Sequence, residues 1–162
     1  MRELTKHPIF GIALRLNNSR HEGLTLSQKR DLDQQWVDEV DAAGDKLLVA
    51  AVLSNPLSKH SLRVLGTSLG LFSEFVVADR HGLTVGTSSM TDDYYQADEE
   101  WFTQAFVMGS GEVWSSGSTY HEATGTWRKR VSFPITVDDA STALGVVRIE
   151  INMTELARRS VL

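Results

Sequence analysis

Cysteine is absent from the chain. Disulfide frameworks and thiolate metal centres are thereby excluded, and the absence suits an oxidising or a reducing compartment equally. Long apolar runs are missing too. The longest, "KLLVAAVL" from Lys46 to Leu53, falls far below the ~20 residues of a membrane span. Positive charge is not in excess. A formal net charge of −5 offers no cationic face to a phosphate backbone, so nucleic acid is not expected as a partner. Repeats, low-complexity tracts and linkers do not occur, and 162 residues suit one domain with a full core. The opening stretch "MRELTKHPIFGIALRLNNSRH" is not expected to be a signal peptide. Its apolar run is short and interrupted by Arg15, and no small-residue cleavage site follows.

What is present divides into two parts. Apolar residues at 41% and charged ones at 23% are globular averages, which excludes disordered, collagenous and coiled-coil classes. Up to about Gly70 the apolar residues Leu26, Leu32, Trp36, Val40, Ala43, Leu47 and Ala51 step mostly by three or four, the spacing of a helix face. Thr25 with Gln28 has the form of a capping box. Gly44 ends that helix or softens it. Asn55-Pro56 supplies an N-cap followed by a residue suited to the first helical position. Leu62, Leu65 and Leu69 continue a second helix, which Gly70 closes.

After Gly70 the period becomes two. "FSEFVVAD" and "LTVGTS" flank the turn-like "DRHG", and "EEWFTQAF" reads as a short amphipathic helix with acid in its first turn. "EVWSSG", "STYHEA", "TWRKRVSFPITV" and "ALGVVRIEI" then read as meandering antiparallel strands, with turn signals at Ser116-Gly117, Thr124-Gly125 and Asp138-Asp139. Asn152 with Glu155 is spaced like a helix cap. The expected fold class is α+β in a single domain. Helices over 1–70 pack on a central antiparallel sheet of five or six strands over 71–151, and a short helix follows over 152–162.

Several motifs carry residues capable of chemistry, and each also has a plainer structural role. "GTSLG", Gly66–Gly70, matches the G-x-S-x-G pattern of serine hydrolases, but that motif needs a strand-to-helix elbow and here a helix precedes and a strand follows. Ser68 is expected at an ordinary helix exit. His7, His21, His60, His81 and His121 show no metal-ligand spacing and are expected at the surface or in turns. Asp92, Asp93, Asp98, Glu99 and Glu100 lack the alternation and turn glycine of a calcium loop, so they read as a solvated loop and a helix start. No metal, cofactor or catalytic set is expected. In "TWRKRVSF", alternation sends Trp127, Lys129, Val131 and Phe133 to one face, and Arg128, Arg130 and Ser132 to the other. If the second face lines a cavity, an arginine there would grip a carboxylate.

The order of these elements resembles the Cache family of extracytoplasmic, PAS-like sensor domains. The likeness runs from about Trp36 to Leu156. It is carried by "VVADRHGLTVGTSS" with Asp79 and Gly82, by "DEEWFTQAF" with Trp101, and by "ALGVVRIEI" with Gly145. The resemblance implies a periplasmic or extracytoplasmic sensor for signal transduction, non-catalytic, with a small-molecule pocket between the sheet and the segment after the second strand. "TSSMTDDYYQADEEWF", Thr87–Phe102, would then be the pocket lid. The implied ligand-binding residues are Ser88, Ser89, Asp93, Tyr94, Tyr95, Trp101, Tyr120, Trp127, Arg128 and Arg130, whose rings and hydroxyls suit such a role. Amino-acid-sensing members commonly carry an arginine two residues before the tryptophan. Glu99 stands there in this chain, which argues against an α-amino acid. A carboxylate held by Arg128 or Arg130 is the favoured expectation. The alternative is a cationic amine held by Asp92, Asp93 or Asp98 in a stand-alone periplasmic binding module or a helix-mediated dimerisation module. A homodimer through the N-terminal helix around Leu26–Ala51 is a further expectation, with membrane attachment only through segments outside this chain.

Overall fold

The computed structural model describes residues 5–136 and 142–161. The turn expected at Asp138-Asp139 lies outside the described residues. Helix α1 spans Pro8–Arg20, with His7 capping its first turn through Nδ1. Helix α2, Leu26–Asp41, opens on the expected capping box, in which Thr25 and Gln28 satisfy each other's backbone amides. The apolar run from Leu26 to Ala51 is not one helix. Ala42 is extended (φ −71, ψ 147), and α3 restarts at Leu47–Ser54. Asn55 ends α3 and caps α4, Pro56–Thr67, by accepting from the Ser58 amide.

The sheet has strands β1 Phe72–Asp79, β2 Thr84–Thr87, β3 Trp114–His121, β4 Thr126–Thr136 and β5 Ala143–Asn152. All pairs are antiparallel, in the order β2-β1-β5-β4-β3. "EVWSSG" and "STYHEA" are therefore not two strands. Ser116-Gly117 forms an irregularity within β3 rather than a turn, because β4 continues past it as one pairing partner. Gly125 (φ 62) does close the β3–β4 hairpin after a 3-10 turn at Glu122–Thr124. Helix α5, Glu100–Phe106, lies between β2 and β3, and α6, Met153–Arg159, follows Asn152, whose side chain accepts from the Glu155 amide.

Two-residue alternation gives the sheet two different faces. Phe75, Val77, Val131, Phe133, Val147 and Ile149 point at α1 and α4, where Phe10, Leu14 and Leu57 complete the main core. Val76, Ala78 and Val146 point the other way, against Trp101, Phe102 and Ala105 of α5. Further along that second face the residues turn charged: Glu74, Arg148, Glu150, Arg128 and Arg130. A third cluster, Trp36, Val49, Val52, Leu83 and Tyr94, joins α2 and α3 to the outer edge of the sheet. Trp36 is fully buried there, not on a free helix face.

Helix α1 is seated by hydrogen bonds as well as by packing. His21 lies at the turn that ends α1, one of the two positions expected of it, but it is buried there, and its Nδ1 lies 2.6 Å from Asp79 Oδ2. Asn18 donates to the Leu144 carbonyl and accepts from the Arg80 amide. Single-sequence spacing could not reveal these bonds, since their partners lie far along the chain. The fit is close at Gly145, where a Cβ would overlap the Ala78 carbonyl oxygen and come within 2.7 Å of a Leu14 methyl. Gly145→Ala is expected to cost about 2–3 kcal/mol by forcing α1 and β1 away from β5, read as a lowered urea midpoint with an unchanged slope.

Candidate functional site

The segment from Thr87 to Phe102 crosses over the end of the sheet and is held from both sides. Its backbone returns beside β2, with Thr84 N donating to Tyr94 O and Leu83 bridging Tyr95. From the helix side, Asp33 of α2 accepts from the amides of both Tyr94 and Tyr95, at 2.7 and 2.8 Å. Trp36 donates to the Thr91 carbonyl and stacks on the Tyr94 ring, 5.6 Å between centroids. Gln96 N donates to Gly82 O, so the segment closes against the β1–β2 turn. Gly82 (φ 79) is required there, because any Cβ would collide with Ala97.

Beneath this crossover lies a polar recess of about 150 Å³, lined by residues that include Glu74, Asp92, Asp93, Glu99, Arg130 and Arg148. Arg148 is its central cation. The guanidinium lies 5.0 Å from the centre of the Trp101 ring and pairs with Glu74 at 2.6 Å. Ser89 donates to the other oxygen of Glu74 and steadies that pair. Around Arg148, three buried polar groups have no partner among the described residues: Arg148 Nε itself, Nε1 of the Trp101 ring beneath it, and the hydroxyl of Ser132, which stands directly across from Arg148 on β4. Each is able to donate a hydrogen bond, and an unanswered buried donor costs about 1–3 kcal/mol.

The carboxyls around the recess differ in character. Burial pushes Asp93 up to about 6; the Gln96 hydrogen bond and Arg148 resist, while the charges of Glu99 and Asp33 add to the rise. Burial would raise Glu150 as well, but hydrogen bonds from Ser73 and Arg128, with the charges of Arg128 and Arg130, hold it below the usual range. Arg128 donates to Glu150 at 2.8 Å, whereas Arg130 reaches it only at 3.5 Å and is half exposed.

The residues singled out from sequence are thus distributed over several places. Asp93 and Arg130 line the recess, and Trp101 and Ser89 support its floor and wall. Ser88 closes the end of the β1–β2 pairing by accepting from the Phe75 amide. Tyr94 and Tyr95 pack toward the helices. Tyr120 and Trp127 meet at a tilted angle at the far hairpin, each 52% exposed, and Arg128 lies beside that hairpin. Arg148, Glu74 and Gln96 escaped notice, since an arginine inside "ALGVVRIEI" reads as an interruption of a buried strand until its partner across the sheet is known. Ser68 is used up structurally: its hydroxyl donates to Leu65 O and accepts from the Phe72 amide.

Neither a family model nor a curated protein sequence matches the chain. Solved structures do. The extracellular domain of rpHK1S-Z16, described as a histidine kinase, is 19% identical over 65% of this chain and 44% of that one, with a TM-score of 0.50. The ligand-binding domain of the Campylobacter jejuni chemoreceptor Tlp3, solved with 4-methylisoleucine, is 12% identical over 89% of this chain and 57% of that one, TM-score 0.47. That of the Pseudomonas aeruginosa amino acid chemoreceptor PctC, solved with GABA, is 16% identical over 93% and 61%, TM-score 0.45. The architecture is PAS/Cache-like. At these identities the likeness concerns the fold, and the chain spans roughly half of the length of the structures it matches.

The raised Asp93 value has a consequence for stability. A carboxyl that holds its proton more tightly folded than unfolded makes stability fall as pH rises from near 4 toward the folded value, and adds no further change above it. The wild type minus Asp93→Asn difference in urea midpoint should therefore decline up to pH about 6 and then level off. The wild-type curve alone would mix in Glu150, which acts in the opposite sense.

Proposed function

We propose that this chain is a non-catalytic, extracytoplasmic sensor domain that binds a small carboxylate-bearing metabolite beneath the Thr87–Phe102 crossover and passes the signal to segments outside it. The observation that carries the reading is a polar recess with Arg148 and Arg130 on its lining, behind which Arg148 Nε, Trp101 Nε1 and the Ser132 hydroxyl have no hydrogen-bond partner among the described residues. A ligand carboxylate supplies the acceptors they lack, and charge-assisted bonds of this kind are strong. Arg130, weakly paired and half exposed, stands at the same recess as a second grip.

The opposite wall favours a positive group on the same ligand. Asp92, Asp93 and Glu99 face the recess while Glu74 already neutralises Arg148. The carboxylate and amine readings of the sequence then become two ends of one molecule. Glu99, one of these acids, keeps the ammonium on the crossover side and leaves the carboxylate to the sheet. The volume equals about five waters, so the ligand is small.

β-Alanine serves as a probe, with propionate and propylamine as its singly charged counterparts. Thermal unfolding should show saturable stabilisation in the order β-alanine, propionate, propylamine, growing as RT ln(1 + [L]/Kd). Ser132→Ala should raise the stability of the ligand-free protein by about 1 kcal/mol, by removing an unsatisfied group, and yet weaken propionate binding. Propylamine affinity should climb as pH passes through about 6, where Asp93 loses its proton. Absence of any saturable shift, or binding indifferent to both Ser132→Ala and Arg130→Gln, would sink the proposal.

A further inference from the structure

The opposite side of the sheet carries a second concavity, of about 260 Å³, between α1, α3 and β2. It is independent of the polar recess and of the reading built on it. On α1 its wall is one helical face: Ile9, Ile12, Ala13, Leu16, Asn17 and Arg20 recur at steps of three, one, three, one and three. At 1.5 Å per residue that face is about 16 Å long. Leu48, Ala51 and Val85 form the facing wall. Ile12 and Leu16 remain 56% and 59% exposed, so apolar surface is left at the mouth.

The groove is not uniformly apolar. Toward the C-terminus of α1 it becomes polar, with Asn17, Arg20 and Tyr94 on its walls. Arg20 complements the helix dipole as the last residue of α1. Its guanidinium nevertheless has no carboxylate partner among the described residues. Tyr94 is 4% exposed, and its hydroxyl makes no hydrogen bond to another described residue. Burial, together with the charge of Asp79 and against that of Arg20, holds its phenol well above the ordinary range, so it stays a donor.

We propose that this groove binds a medium-chain or aryl-alkyl carboxylate, its apolar tail along Ile12, Leu16 and Ala51 and its head between Arg20 and Tyr94. The apolar length selects the tail and the unpaired cation selects the sign of the head. Room for about nine water-sized groups sets the size. Because Asp93 lines the polar recess while Tyr94 lines this groove, the two sites would be separated by one peptide unit of the crossover.

Octanoate, kept below its micellar limit, is the probe, followed by isothermal titration. Binding should be saturable, tighter than that of hexanoate by about tenfold for two methylenes, and stronger than that of octan-1-ol or octylammonium. Arg20→Gln and Tyr94→Phe should each weaken octanoate by about tenfold while leaving octan-1-ol unchanged. Ser132→Ala should leave octanoate untouched, which keeps this site distinct from the polar recess. Equal binding of octanoate and octan-1-ol, or no response to Arg20→Gln, would overturn the assignment. So would a dimer dispersed by Leu16→Glu in a protein that takes up no octanoate, since the groove would then belong to a second copy.

Discussion

The fully buried carboxyl group of Asp79 ties α1 to the sheet that the main core packs against. Asp79 is fully buried at the end of β1, and its oxygens accept from the His81 and Leu83 amides and meet His21 Nδ1 of the α1 terminus. A buried charge is tolerable only when its hydrogen bonds are answered, and here each partner comes from an element that must be correctly placed. The β1–β2 turn is thereby shaped, and α1 is tied to it. The same turn presents the Gly82 carbonyl to the Gln96 amide. The position of the crossover, and with it of both concavities, descends from that arrangement.

The crossover acts as a partition. It meets the start of β2 through one isolated bridge, Leu83 to Tyr95, and adjacent side chains leave it in different directions. Asp93 lines the charged recess with Arg148 and Arg130, while Tyr94 stacks on Trp36 and lines the apolar groove. The charged face of the sheet is affordable because its members answer one another: Glu74 with Arg148, and Glu150 with Arg128 and Ser73. The answering stops at Arg148 Nε, Trp101 Nε1 and Ser132, and, away from this face, at the Ser61 hydroxyl, none of which has a partner among the described residues. Buried polar groups are normally satisfied, which makes such exceptions informative.

Features that depend on a few neighbouring residues were legible in the sequence. The Thr25–Gln28 capping box, the Asn55-Pro56 helix start, the Asn152 cap and the split of "TWRKRVSF" into an apolar and a cationic face all occur as read. Local signals also misled. Ser116-Gly117 has turn chemistry but lies inside β3, because pairing with β4 overrides local preference. His21 reads as a surface or turn residue and is buried, and Trp36 on the apolar helix face donates to Thr91; their partners Asp79 and Thr91 lie 58 and 55 residues away. The family resemblance groups Tyr120 and Trp127 with Trp101, whereas the topology places them at the far hairpin.

The sequence by itself determined the class of the fold, because helical and two-residue periodicities state which faces must be buried, and it marked the segment between β2 and α5 as chemically loaded. Only the tertiary structure decided what that segment encloses. Arg148 becomes the centre of a recess through Glu74, 74 residues distant, and through Trp101 on another element. Arg20 comes to the end of an apolar groove, without a carboxylate partner among the described residues, only once α1 is laid across β2 and α3. Charge and hydrogen-bonding partners are set by distance in space, and periodicity along the chain carries no record of that.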